Sequence, residues 1–286
     1  MKQLLTILLI GFTTAAVSQE KINYLTPPPS PEASFMQQLG TGEVKVNYSR
    51  PLARGRKIVG GLVPFDSLWR TGASGASTIE FTEEMIMGDK TLKAGKYALF
   101  TIPGQKEWTI VINADTSLHG TTGYDSKKDL HRFNIPSVKT EKFYEAFTIE
   151  LNEITSRGDG LLSLIWENTM IKIPLKSSVD EKAMADINTR LIKNKEQNAA
   201  LFYQAANYYY STGRDLKQAA VWVTEAEKAD KEKFEYPNLL QKILADSKDY
   251  KAAIQAAKRA VVLGEKKNMT NSVTALKKRI AEWEKK

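Results

Sequence analysis

Two arginines are the side chains whose type and surroundings most invite chemistry. Arg70 follows Trp69 and precedes Thr71-Gly72, and Arg50 closes a run in which Val44, Val46 and Tyr48 share its alternation phase. A guanidinium at a strand end beside an aromatic ring presents forked donors that fit a carboxylate, a phosphate or sugar hydroxyls. The competing reading is that both arginines tie down loop carbonyls or pair with an internal acid such as Glu167. A fully buried, unpaired guanidinium costs several kcal/mol, so Arg50 must find acceptors at the rim of a core. The expected ligand-binding set is therefore Arg50, Trp69, Arg70, Thr71, Tyr124 and Asp125, gathered at one end of a β domain and suited to a small anionic or glycan ligand.

Other chemistries fare less well. The chain has no cysteine, which removes disulfides, thiolate metal sites and cysteine nucleophiles together. Gly72-Ala73-Ser74-Gly75-Ala76 fails the nucleophile-elbow pattern, and Ala94-Gly95-Lys96 has the wrong glycine spacing for a phosphate loop. His119 and His131, with Asp115, Asp125 and Asp129 nearby, could offer imidazole and carboxylate to a metal ion. Solvated loops account for them more simply, and neither metal nor cofactor is expected. Asp125 and Glu167 could flank a glycosidic bond, which keeps a hydrolase of a glycan or other envelope polymer as the alternative function. Trp108 is in phase with Ile110 and Ile112, and Trp166 with Leu162 and Leu164, so both indoles read as core rather than as sugar platforms.

The elements that must position these residues follow from periodicity. Period-two alternation runs through Val44–Tyr48, Ile79–Phe81, Phe147–Leu151 and Ile171–Leu175, the pattern of strands with one wet face. More apolar runs at Tyr97–Ile102, Trp108–Ile112 and Leu161–Trp166 suit strands nearer a sheet centre. Gly60-Gly61, Gly88-Asp89, Ala94-Gly95, Pro103-Gly104 and Gly158-Asp159-Gly160 supply the turns. About eight short strands over residues 40–176 predict an antiparallel β-sandwich of jelly-roll type, preceded by a Pro-rich extended arm over 19–39.

Beyond Lys176 the period changes to 3.6. Asp215-Leu216-Lys217-Gln218-Ala219-Ala220 matches Asp249-Tyr250-Lys251-Ala252-Ala253-Ile254 at an offset of 34 residues, the tetratricopeptide period. Residues 180–286 are thus expected to form tetratricopeptide-like helical hairpins, with a degenerate second unit at Pro237. A last helix from about Asn271 caps the stack through Val273, Leu276, Ile280 and Trp283. Of Tyr208-Tyr209-Tyr210, at least one is expected on the exposed repeat surface, where a protein partner would lie.

Compartment is read from the first residues. Lys2, the apolar stretch Leu4–Phe12 and the small residues Ala16 and Ser18 predict a signal peptide over 1–18, cleaved before Gln19. The expected product is periplasmic or secreted, with no integral membrane segment. The formal net charge is +8, with 21 Lys+Arg against 15 Asp+Glu in residues 177–286 and near balance before them. Basic and acidic residues are interspersed there, which argues for a solvated helical surface and against nucleic acid.

The segments Tyr48-Ser49-Arg50-Pro51, Gly60-Gly61-Leu62-Val63-Pro64, Trp69-Arg70-Thr71-Gly72-Ala73, Ala94-Gly95-Lys96-Tyr97, Phe100-Thr101-Ile102-Pro103 and Trp166-Glu167 stand in the order found in one family. Residues 27–176 resemble the domain of unknown function 2911, found in exported bacterial proteins, and the helical tail looks like the extension many members carry. Leu118-His119-Gly120 departs from the family, which often has an aromatic there. The resemblance implies a fold and an export route but no activity. The expected protein is a non-enzymatic envelope binding module, with a ligand or partner site on the sandwich and a protein-binding surface on the helices.

Overall fold

A computed structural model describes residues 27–286. The expected signal peptide and its cleavage site lie outside the described residues. Nine antiparallel strands form the first part: β1 (Glu32–Leu39), β2 (Gly42–Ser49), β3 (Ser77–Phe81), β4 (Met85–Met87), β5 (Lys90–Leu92), β6 (Gly95–Pro103), β7 (Glu107–Asn113), β8 (Asp129–Asn152) and β9 (Asp159–Ser177). Their spatial order is β1-β2-β3-β6-β7-β8-β9-β4-β5.

One long strand joins the two faces of this sandwich. β8 pairs with β7 through its first part and with β9 through its second, so the sheet bends along β8 and both limbs face one core. The alternating residues fill that core from both sides. Val44, Val46, Ile79 and Ile110 come from one limb, and Phe147, Ile149, Leu164 and Ile173 from the other. Trp69, Trp108, Phe147 and Trp166 meet at its centre, with Trp69 stacked on Trp166 at 5.7 Å and edge-on to Phe147 at 5.0 Å. The core placement of Trp108 and Trp166 agrees with their phase.

Three strands differ from the expected ones. Residues 32–39 are not part of a free arm: they pair along their length with β2, and Ala33 and Phe35 pack against the core. The prolines before them masked a short alternation. β8 and β9 run 24 and 19 residues rather than being short strands. Their register breaks between Lys139 and Thr148, where bulges let one strand serve both limbs.

Six helices follow: α1 (Val179–Ile187), α2 (Ala199–Ser211), α3 (Leu216–Ala229), α4 (Glu235–Asp246), α5 (Tyr250–Lys266) and α6 (Thr270–Trp283). The 34-residue offset marks two equivalent helix starts. Asp215 accepts from the backbone N–H groups of Lys217 and Gln218, and Asp249 accepts from that of Ala252. Each carboxylate satisfies donors that the first turn leaves orphaned. Ala219, Ala226, Ala253 and Ala260 are fully buried, as close helix approach requires. Pro237 sits in the first turn of α4, where a missing N–H costs the helix nothing. Among the described residues no helix is long and apolar enough to cross a membrane.

Candidate functional site

Arg70 lies on a loop that crosses β6 beyond the end of β3. Trp69 exchanges both backbone hydrogen bonds with Thr101, and Ser77 N–H reaches the Arg70 carbonyl at 3.3 Å as β3 begins. Between them Thr71 is fully buried at φ 56, a left-handed conformation that a β-branched residue avoids. Its hydroxyl lies 3.1 Å from that of Thr101, and its carbonyl accepts from Ser77 Oγ at 2.5 Å. The indole N–H of Trp69 closes the loop onto the Gly72 carbonyl at 3.0 Å. Trp69 and Thr71 therefore point into the protein. Their work is to hold the backbone that aims Arg70 outward.

On the outer face the loop after β7 folds over Arg70. Ala76 N–H bonds the Leu118 carbonyl at 3.0 Å, and Gly75 bridges His119. Beneath these lies a small apolar layer of Ala98, Phe100 and Val111, with Leu68, Leu118 and Tyr124 packed on it. Gly120, at φ +81, passes so close that a Cβ there would stand 2.8 Å from Arg70 Nη1. The result is a concavity of about 360 Å³, with Leu62, Ser67, Arg70, His119 and Thr121 around its mouth. Among the described residues the guanidinium makes one long hydrogen bond, Nη1 to the Ser74 carbonyl at 3.3 Å.

Tyr124 and Asp125 stand on the other flank of the same loop. The Tyr124 hydroxyl lies 2.8 and 2.7 Å from the two Asp129 oxygens and accepts from Arg132 Nη2 at 2.6 Å. Burial, reinforced by the Asp129 carboxylate, pushes the Tyr124 phenol up to about 12. Asp125 caps the short helical turn Ser126–Lys128 by accepting from Lys127 N–H. Both residues brace the loop rather than face the Arg70 concavity directly.

Arg50 takes a separate role. Its Nε donates to the Phe147 carbonyl at 3.1 Å and its Nη2 to Thr148 Oγ1 at 2.9 Å. It ties the end of β2 across the sandwich to β8. The backbones of the two arginine segments come close, since a Cβ on Gly72 would lie 3.1 Å from the Ser49 carbonyl oxygen. The two guanidinium groups nevertheless share no hydrogen-bond partner, and neither is paired with Glu167.

The acid pair considered for hydrolysis does not converge. Asp125 sits beside Asn113 at one end of β7, whereas Glu167 shares a cavity with Trp108 near the other end. Five residues of strand separate those ends, roughly 17 Å. A glycosidase places its two carboxyl groups about 5–9.5 Å apart. The histidines and their acids are dispersed as well. His131 Nε2 lies 2.9 Å from Asp89, Asp115 holds Lys128 at 2.7 Å, and His119 belongs to the Arg70 mouth.

Fold and site together define a two-part protein: a bent-sheet β-sandwich bearing a loop-walled arginine concavity, followed by tetratricopeptide-like helical hairpins. The chain belongs to the family described as Protein of unknown function (DUF2911), whose pattern matches residues 30–175. No curated protein matches the chain. Among solved structures it is similar to the Sgt2 TPR domain from Aspergillus fumigatus, at 20% identity and a TM-score of 0.30, covering 37% of this chain and 77% of that one. That likeness is too low for any argument to rest on it.

Proposed function

We propose that this is an exported, non-enzymatic binding protein of the cell envelope whose sandwich takes a small anionic group on Arg70. The observation that carries the reading is the strained, buried Thr71 behind an underused guanidinium. A non-glycine residue held at positive φ costs about 1–3 kcal/mol and persists where the surrounding structure over-determines it. Here the strained loop presents one forked donor to a concavity that also holds the hydroxyls of Ser67, Thr121 and Thr122 and the His119 imidazole, against an apolar wall of Leu62, Val63 and Leu68. Loops braced by a sheet are where binding residues concentrate. The helical hairpins supply a second surface for a protein partner in this reading, and the signal-like N-terminus supplies the export.

Calorimetric titration of the full chain with acetate, sulfate and inorganic phosphate tests the sandwich site. Arg70→Lys keeps the charge but loses the fork, so affinity should fall roughly ten-fold, the loss of one charge-assisted hydrogen bond. The melting temperature should stay near that of the parent. Unchanged binding, or a large drop in melting temperature, would assign Arg70 a structural role instead.

A further inference from the structure

A second cavity opens at the other end of β7, between the β6–β7 turn, the loop over residues 57–65 and the bulged part of the β8–β9 pair. Its volume is about 750 Å³, twice that of the Arg70 concavity, and it has no residue in common with it. Three features set it apart. Trp108 lines it, is 3% exposed, and carries an indole N–H with no acceptor among the described residues. A buried donor left unpaired costs about 1–3 kcal/mol. Glu167, one of nine non-glycine residues at positive φ among the described residues, is held at φ 51 where the β8–β9 register breaks beside a bulge. One Glu167 oxygen takes the Val59 N–H at 3.3 Å, and the other receives no hydrogen bond from the described residues. Finally, Lys57, Lys106 and Lys139 stand at the mouth, all exposed, none within ion-pair distance of a carboxylate among the described residues.

We propose that this end cavity binds an acidic saccharide, a ring carrying both a carboxylate and hydroxyl groups. Three lysines against one glutamate favour an anion. A bare inorganic anion does not suit the site, because Glu167 would face it as a second negative charge with nothing to accept. The ligand must bring hydrogen-bond donors as well as charge, and hydroxyls do that. The size is right also, since sites for sugar-sized ligands run to about 300–1,000 Å³ with an apolar wall and a few placed polar groups. Val59, Phe65, Trp108 and Val138 give that wall.

The test is a titration of the full chain with digalacturonate and, separately, with the neutral disaccharide maltose. An Arg70→Ala background keeps the other concavity out of the measurement. Digalacturonate should bind at least about ten-fold more tightly than maltose, with an affinity that falls as salt rises, as screening of exposed charges requires. The double variant Lys106→Glu, Lys139→Glu alters only exposed side chains, so it should fold as the parent does and lose digalacturonate. Glu167→Gln should weaken binding while leaving its salt dependence in place. Equal affinity for the two sugars, no digalacturonate binding, or full binding by the double lysine variant would each overturn the proposal.

Discussion

Gly120 and Arg70 are fitted to one another at atomic distance. Alanine at 120 would combine a left-handed backbone with a contact 2.8 Å from the guanidinium. Gly120→Ala should therefore destabilise the protein by about 1–2 kcal/mol, and displace Arg70 as well. Chemical denaturation reads the first effect and anion titration the second. On the same loop, hydrogen bonds from Lys128 and then Ser117 hold the Asp115 carboxyl down to about 2, well below the usual carboxylate range. A depressed folded-state value means the contact stabilises the loop above the ordinary carboxylate pKa. That stabilisation is lost as pH falls toward about 2. An NMR titration of the Asp115 carboxyl should show this low midpoint, and Lys128→Ala should move it upward. At this scale the sequence revealed which residues to watch but not what each does. Trp69-Arg70-Thr71 stands out as a string, yet the left-handed turn at Thr71 is what sends one side chain outward and two inward. No local pattern announces that turn. The cavity at Glu167 was missed for a related reason. The phase of Trp108 with Ile110 and Ile112 places it in the core, where it lies, but a core phase says nothing about an unmet indole N–H.

The elements were more legible, because burial imposes a period. Val44, Val46 and Tyr48, or Ile171, Ile173 and Leu175, alternate cleanly since each strand has one face in the core. β1 escaped notice because Ala33 and Phe35 are only partly buried at the sheet edge, which weakens the contrast with their neighbours. The lengths of β8 and β9 escaped because a strand that bends between two limbs changes which face is wet. In the helices the aspartates that head the two matched segments both prove to be N-caps. Asp215→Ala and Asp249→Ala should each cost about 1 kcal/mol, as loss of an N-cap does. That cost should appear in the helical part alone, as read by amide exchange along α3 and α5. The three tyrosines of α2 depart from expectation. Tyr208 bonds Asp180 of α1, Tyr209 packs edge-on to Trp222, and Tyr210 bonds Asp246, so all three are half-buried and partnered within the helical part.

Among the described residues the apolar clusters do not cross the boundary near residue 178. Two lie within residues 33–175, and the two helical ones lie within 187–283. Polar contacts join the parts instead. Arg157, in the β8–β9 turn, donates twice to the Thr212 carbonyl at the end of α2, and Ser156 Oγ donates to the Ser211 carbonyl. Those carbonyls are helix-end acceptors, where a cation is favoured by the helix dipole. Residues 19–178 expressed alone should accordingly unfold in one cooperative, β-rich transition, and an insoluble product would contradict separate cores. Within that unit, Phe147→Ala should cost about 3–5 kcal/mol, since it empties the centre of the aromatic cluster. The proposed binding role turns on a sandwich that holds Arg70 ready for an anion. The direct measurement is the Arg70 side-chain Nε–H signal in the intact chain, followed by NMR while sulfate or acetate is added. A saturable shift and slowed exchange of that one guanidinium, absent from Arg50, is the predicted result. An Arg70 signal that responds no differently from those of exposed arginines such as Arg54 would contradict it.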